Sequence, residues 1–173
     1  MTQEWKTKFF EALSGKLEEY TNDNLLQQNE ATGEWFLKTA FATSPEKEEF
    51  VPVQAVTYPA RADVLLLELY VMLTPEVPEA AVPEVQKAVD ELNAYLPVGC
   101  LGIYPTDGHL YLRDCFRLDT GLGAEECARD ALTDYELILE VMVAAYPGLK
   151  EIWSGNKTFE QTVEENLLKR HSR

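Results

Sequence analysis

Few residues in this chain have the type and spacing that chemistry requires. His109 directly follows a Pro105-Thr-Asp-Gly108 turn, and Cys100 and Cys115 lie on either side of it with Arg113 close by. An arginine beside a thiol favours the thiolate, so a redox pair or a Cys–His nucleophile is the chemistry this set suggests. Neither carries a signature: no third residue to orient the histidine is marked, and small part-buried cysteines ordinarily act as hydrophobes. Metal ligation needs His, Cys or carboxylates converging at short spacing, and no Cys-x-x-Cys or His-Glu-x-x-His is present; His171 stands alone in the terminal Lys-Arg-His-Ser-Arg. Gly121-Leu122-Gly123 precedes a helix, where backbone amides can hold an anion. Glu125 and Glu126 already complement that helix dipole. Adjacent carboxylates such as Asp90 and Glu91, or Glu48 and Glu49, do not converge on one substrate atom. No catalytic, cofactor-binding or metal residue is therefore assigned, and the chain is expected not to be an enzyme.

Composition narrows the partners. A chain of 173 residues is the size of one domain with a single core. Its net charge is −15, and between Ala62 and Leu112 the only lysine or arginine is Lys87, against eight acidic residues. Such a surface repels phosphate backbones and anionic lipid, so nucleic acid and membrane are not expected partners. No apolar run approaches the ~20 residues that cross a bilayer. The N-terminus mixes Glu4, Lys6 and Lys8 with Trp5, Phe9 and Phe10, unlike a secretory signal, and three cysteines suggest free thiols. A cytoplasmic location is expected.

The elements that position these residues are legible from periodicity. Trp5, Phe9, Leu13, Leu17 and Tyr20 recur at helical spacing from Thr2 to about Tyr20, with Gly15 weakening the helix. Glu34–Phe41 and Phe50–Tyr58 read as strands separated by the Ser44–Glu49 loop, and Pro52 suggests an edge position or a late start for the second. Val64–Leu73 is apolar on both faces and should be a central strand. A second helix runs from about Pro83 to Tyr95, with stripe Val85, Ala88, Val89, Leu92 and Leu96, and Pro97 stops it. The Cys100–Leu118 region folds back on its Asp-Gly turn as a hairpin. A third helix from about Ala124 to Ala145 buries Cys127, Ala131, Leu132, Tyr135, Ile138, Leu139 and Met142, with Pro147-Gly148 as its stop. Thr158 and Gln161 fit a capping box opening a short helix to Lys169, whose Phe159, Val163 and Leu167 could dock on the body or on another chain. The fold class is α+β: an antiparallel sheet of about five strands with flanking helices, in the order α-β-β-β-α-β-β-α plus a helical tail. Residues 1–155 form one domain and 156–173 the appended tail.

The strand, Asp-Gly turn, strand and long helix ending in Tyr146-Pro-Gly-Leu149, preceded by Leu92-Asn-Ala-Tyr95, resemble the YbjN family of bacterial proteins over roughly Val64 to Trp153. That family shares the fold of the type III secretion chaperones. The resemblance implies a domain that binds other proteins, often as a homodimer, with no catalytic residues to carry over. The tail after Gly155 lies outside the shared pattern.

Pleat geometry places the residues of a candidate surface. If the turn pairs Tyr104 with His109, then Ile103 faces Leu110 and Leu101 faces Leu112, which sets the aliphatic side chains on one face. The opposite face carries Cys100, Tyr104, Tyr111, Arg113, Cys115 and Arg117, and the alternate set of the central strand is Val64, Leu66, Glu68, Tyr70 and Met72. Tyrosine, arginine and methionine are interface formers, so Leu66, Tyr70, Met72, Tyr104, Tyr111 and Arg113 are the partner-binding candidates. The expected function is non-enzymatic protein binding, chaperone-like or regulatory, to a protein partner or to a second copy. The alternative is a small-molecule-binding or toxin-immunity domain with a pocket between the sheet and the third helix.

Overall fold

A computed structural model describes residues 3–21, 23–43 and 49–168. The expected Ser44–Glu48 part of the loop, the helix start at Thr2, Lys169 and His171 lie outside the described residues. The elements are α1 (Gln3–Leu17), β1 (Leu25–Gln28), β2 (Trp35–Ala42), β3 (Phe50–Arg61), β4 (Val64–Thr74), α2 (Val82–Asn93), β5 (Cys100–Ile103), β6 (Leu110–Asp119), α3 (Ala124–Trp153) and α4 (Phe159–Glu164). The fold is α+β, and its sheet has six strands in the order β1-β2-β3-β4-β6-β5. Pairs β1–β2, β2–β3, β3–β4 and β5–β6 are antiparallel. The chain forms two compact units, residues 1–71 with 114–137 and residues 72–113 with 138–173.

In the first unit the pleat sorts one buried face from one half-open face. The register aligns Leu37, Ala55 and Leu69, with Thr39, Val53 and Val71 in the next inward row. All six are buried. Helix α1 lies against β1 and β2, burying Phe9, Phe10, Leu13 and Leu17, and Tyr135 of α3 meets Phe41 of β2. Each such side chain contributes about 1.5–3 kcal/mol of burial, which makes this row the core of the unit. The Nζ of Lys6, buried in α1, lies 2.6 Å from the Glu34 carboxylate at the entry to β2.

Strand β1 is the sixth strand, absent from the sequence expectation. Its turn is well marked: the Asn29 side chain accepts from the Ala31 and Thr32 amides, and Gly33 has φ 71°. The strand itself is four residues, Leu-Leu-Gln-Gln, with no buried position, so it carries no alternation to detect. Of the two expectations for Pro52, the edge position does not hold, because β3 is an interior strand, and the late start holds for its ladder to β4 alone. Pro52 pairs with Ala40 of β2, while the β3–β4 ladder begins only at Val53↔Val71; the proline lies beyond the end of that ladder and costs it no hydrogen bond.

In the second unit α2 packs on β5. The expected hairpin register is observed: Leu101 pairs with Leu112 and Ile103 with Leu110, and the Tyr104 amide donates to the His109 carbonyl. Helix α3 does not stop at Pro147. It continues for two turns to Trp153, because Leu149, Ile152 and Trp153 are buried there. An interior proline costs about 3 kcal/mol, and burying three large side chains exceeds that. The true stop is Gly155, φ 72°, where the Asn156 amide donates to Glu151 and the Gly155 amide to Ile152, a Schellman closure.

Candidate functional site

The tail docks in cis. The Thr158 hydroxyl accepts from the Gln161 amide and the Gln161 side chain accepts from the Thr158 amide, so the expected capping box is formed. Phe159, Thr162 and Leu168 are buried, while Val163 and Leu167 are only half-buried. Glu84 of α2 accepts from the Phe159 amide at 2.8 Å, and Lys87 pairs with Glu160 at 2.8 Å while its ammonium sits over the Phe159 ring. A second Schellman closure, from Leu167 to Thr162 and from Asn166 to Val163, turns the chain after α4. Asn166 takes the left-handed position at φ 59°, which its short amide tolerates.

That turn completes an apolar cleft of about 410 Å³. Leu92 and Leu96 form one wall, Val141 and Ala144 of α3 the second, and Leu167 with Leu168 the third. Tyr95 and Asn166 contribute its polar groups, and the Glu91 carboxylate accepts from the Tyr95 hydroxyl at 3.5 Å. Leu92 and Leu96 share one stripe in the sequence, but the cleft has no local signal, because its third wall depends on where the tail returns.

The partner-binding candidates fall in both units. In the first, Leu66 stands opposite Tyr58 and Tyr70 opposite Gln54, with the row Phe36, Val56 and Glu68 beside them. Leu66, Tyr70, Phe36 and Val56 are half-buried, and Tyr58 and Phe50 remain 48% and 52% exposed. Glu68 is the exception at 9% exposed, with the Tyr58 hydroxyl 3.4 Å from its carboxylate. In the second unit Met72 is half-buried and Arg113 lies exposed opposite Cys100. Tyr104 stacks on His109 at 4.5 Å between centroids, with Tyr111 5.5 Å from Tyr104. Tyr111 lies across Gly102, whose absent side chain makes the space: a Cβ there would sit 2.6 Å from the Tyr111 Cζ.

Groups with chemical potential occur in both units. His109 Nδ1 is 2.8 Å from Asp107, which orients the imidazole as a partner would orient a base; one face of the ring stacks on Tyr104, and Tyr111 lies tilted to it at 6.0 Å. Cys127 is buried, its thiol donates to the Asp119 carbonyl, and burial followed by the nearby Asp130 charge pushes its pKa up, the reverse of nucleophile activation. Burial, then Asp114 and Asp130, raises Asp134 to about 6. Burial also holds the Tyr135 phenol above its ordinary range. Among the described residues no group of three or more His, Cys, Asp or Glu is placed to hold a metal ion, and no helix is long and apolar enough to cross a membrane. Cys100, Cys115 and Cys127 are free thiols.

Comparison of the chain with protein-family models gives no match, and comparison with curated proteins gives none either.

Proposed function

We propose that this chain is a non-enzymatic protein-binding domain that engages a partner protein, or a second copy of itself, through the outward face of β2, β3 and β4. The observation that carries this reading is the composition of that face. A solvated face of an antiparallel sheet alternates to polar residues. Here Phe36, Val56, Leu66 and Tyr70 are half-buried and Phe50 and Tyr58 about half exposed. Apolar and aromatic area of this kind is what interface cores are made of. The resemblance to the YbjN family and to the type III secretion chaperones supports the same class of activity, and the acidic surface biases partner choice toward basic or neutral proteins.

The test is a comparison of surface variants. Affinity purification of the wild type from its native cells is expected to retain a stoichiometric protein or a second copy, and Tyr58→Glu or Leu66→Glu to lose it. Arg129→Glu, on an exposed position of α3, should keep it. Retention of the same partner by all three variants would remove the sheet face from consideration.

A further inference from the structure

We infer that the occupant of the outward sheet face is a second copy of this chain, packed sheet against sheet about a twofold axis that runs across the strands, an inference that rests on the sheet-face reading above. Two complete outward rows cross four strands: Leu25, Lys38, Gln54 and Tyr70, then Gln27, Phe36, Val56 and Glu68. They hold one cation, Lys38, and one carboxylate, Glu68. The flanking rows, Ala40 with Pro52 and Tyr58 with Leu66, hold no charge, so the face is formally neutral in a chain of net charge −15. A second copy, repelled by the acidic body as a whole, meets no net charge here. Strand spacings of about 3.4 Å along and 4.8 Å across give a face of about 25 Å by 19 Å, or about 450 Å² per copy in projection. Doubled, and with side-chain relief added, that reaches the roughly 1,000 Å² at which specific interfaces begin.

The register makes the face complementary to itself. Aligned sheets pack about 10 Å apart with their strands within about 30°. A twofold axis lying between the two rows sets each row on the other row of the second copy. Lys38 then meets Phe36, a ring whose face its ammonium already covers at 5.3 Å within one chain. Glu68 meets the Tyr70 phenol, a hydrogen-bond donor, while Gln54 meets Val56 and Tyr58 meets Pro52. An axis along the strands instead sets the Glu68 carboxylate on the face of Phe36, whose negative quadrupole repels it. Only the first arrangement gives both charged side chains a favourable neighbour.

Sedimentation velocity of the full chain from about 1 µM to about 1 mM tests this, since an interface of that size gives a reversible dimer. Raising salt from about 0.05 M to about 0.5 M should lower the dimer Kd several-fold, because it screens two acidic bodies from each other. Lys38→Glu, at an exposed position of β2, makes the face acidic and should weaken the dimer at least about tenfold. Lys8→Glu, the same charge change on α1, should alter it by no more than about twofold, since screening damps charges remote from the face. Circular dichroism checks the fold, and Gln54→Glu, also exposed, replaces Lys38→Glu should that variant misfold. A monomer throughout the range, or a dimer that the acidic variants leave intact, overturns the inference. So does a dimer that added salt weakens, which marks opposite charges rather than a neutral face. Should the purified chain be monomeric while a photoreactive residue at position 58 captures a different protein in cells, the second copy is excluded and the sheet-face reading stands. Absence of any adduct from position 58 overturns both.

Discussion

Asn93 holds both backbone polar groups of Leu101: its Nδ2 donates to the Leu101 carbonyl at 2.9 Å and its Oδ1 accepts from the Leu101 amide at 2.7 Å. Leu101 lies in β5, an edge strand, opposite Leu112. The side-chain amide thus stands where the backbone of a further strand would, and it caps an edge otherwise open to strand addition. Asn93→Ala is expected to leave the Leu101 amide and carbonyl without this partner. Two lost hydrogen bonds at a part-buried site correspond to about 2 kcal/mol. Urea denaturation measures this, and faster hydrogen exchange at the Leu101 amide should accompany it.

Leu168 closes over Gly148 in the same unit. A Cβ at Gly148 would lie 2.7 Å from Leu168 Cδ2 and 3.0 Å from the Leu167 carbonyl. Replacing glycine by alanine within a helix ordinarily stabilises by about 1 kcal/mol. Here the overlap reverses the sign, because a buried leucine and the backbone behind it must move, at about 1–3 kcal/mol. Gly148→Ala should therefore destabilise, and Leu168→Ala should rescue part of the loss. A double-mutant cycle by thermal denaturation checks the non-additivity; simple additivity would mean the two residues are not in contact.

Both relationships show what a sequence can and cannot display. The hairpin register was legible because Leu101, Leu110 and Leu112 are buried while the alternate positions are not, and the pleat converts that into a face. The α3 stripe was legible for the same reason at helical period. Strand β1 was not, since none of its residues is buried and an edge strand without a core face has no period. The end of α3 was misplaced because Pro147-Gly148 signals a stop locally, whereas the burial of Leu149, Ile152 and Trp153 and the seating of Leu168 on Gly148 depend on residues distant in the chain. The candidate residues Leu66 and Tyr70 were chosen by alternation alone. Placing Tyr58 opposite Leu66, and Phe36 in one row with Val56 and Glu68, needed the β2–β3–β4 register.

Asp134 gives the fold a pH dependence of known sign. Its folded pKa, about 6, lies above the ordinary carboxyl value of 3.8, so the folded state binds this proton more tightly than the unfolded chain. The resulting penalty is absent below about pH 4, develops as the pH rises toward 6, and is complete above it. Unscreened, the gap corresponds to about 3 kcal/mol, and solvent screening of a partly exposed group reduces it to about 1 kcal/mol. Asp134→Asn should be more stable than the wild type by about that amount at pH 7.5 and no different at pH 4. Urea midpoints at the two pH values decide it, and an equal difference at both would refute the linkage.

The central claim, protein binding through the outward sheet face, is tested most directly by photo-crosslinking in living cells. A photoreactive amino acid replaces Tyr58 in one protein and Arg129, on the exposed surface of α3, in another. Irradiation is expected to give a discrete covalent adduct, to a second copy or to one other protein, from position 58 and none from position 129. Adducts absent from position 58, or equally abundant at both positions, would contradict it.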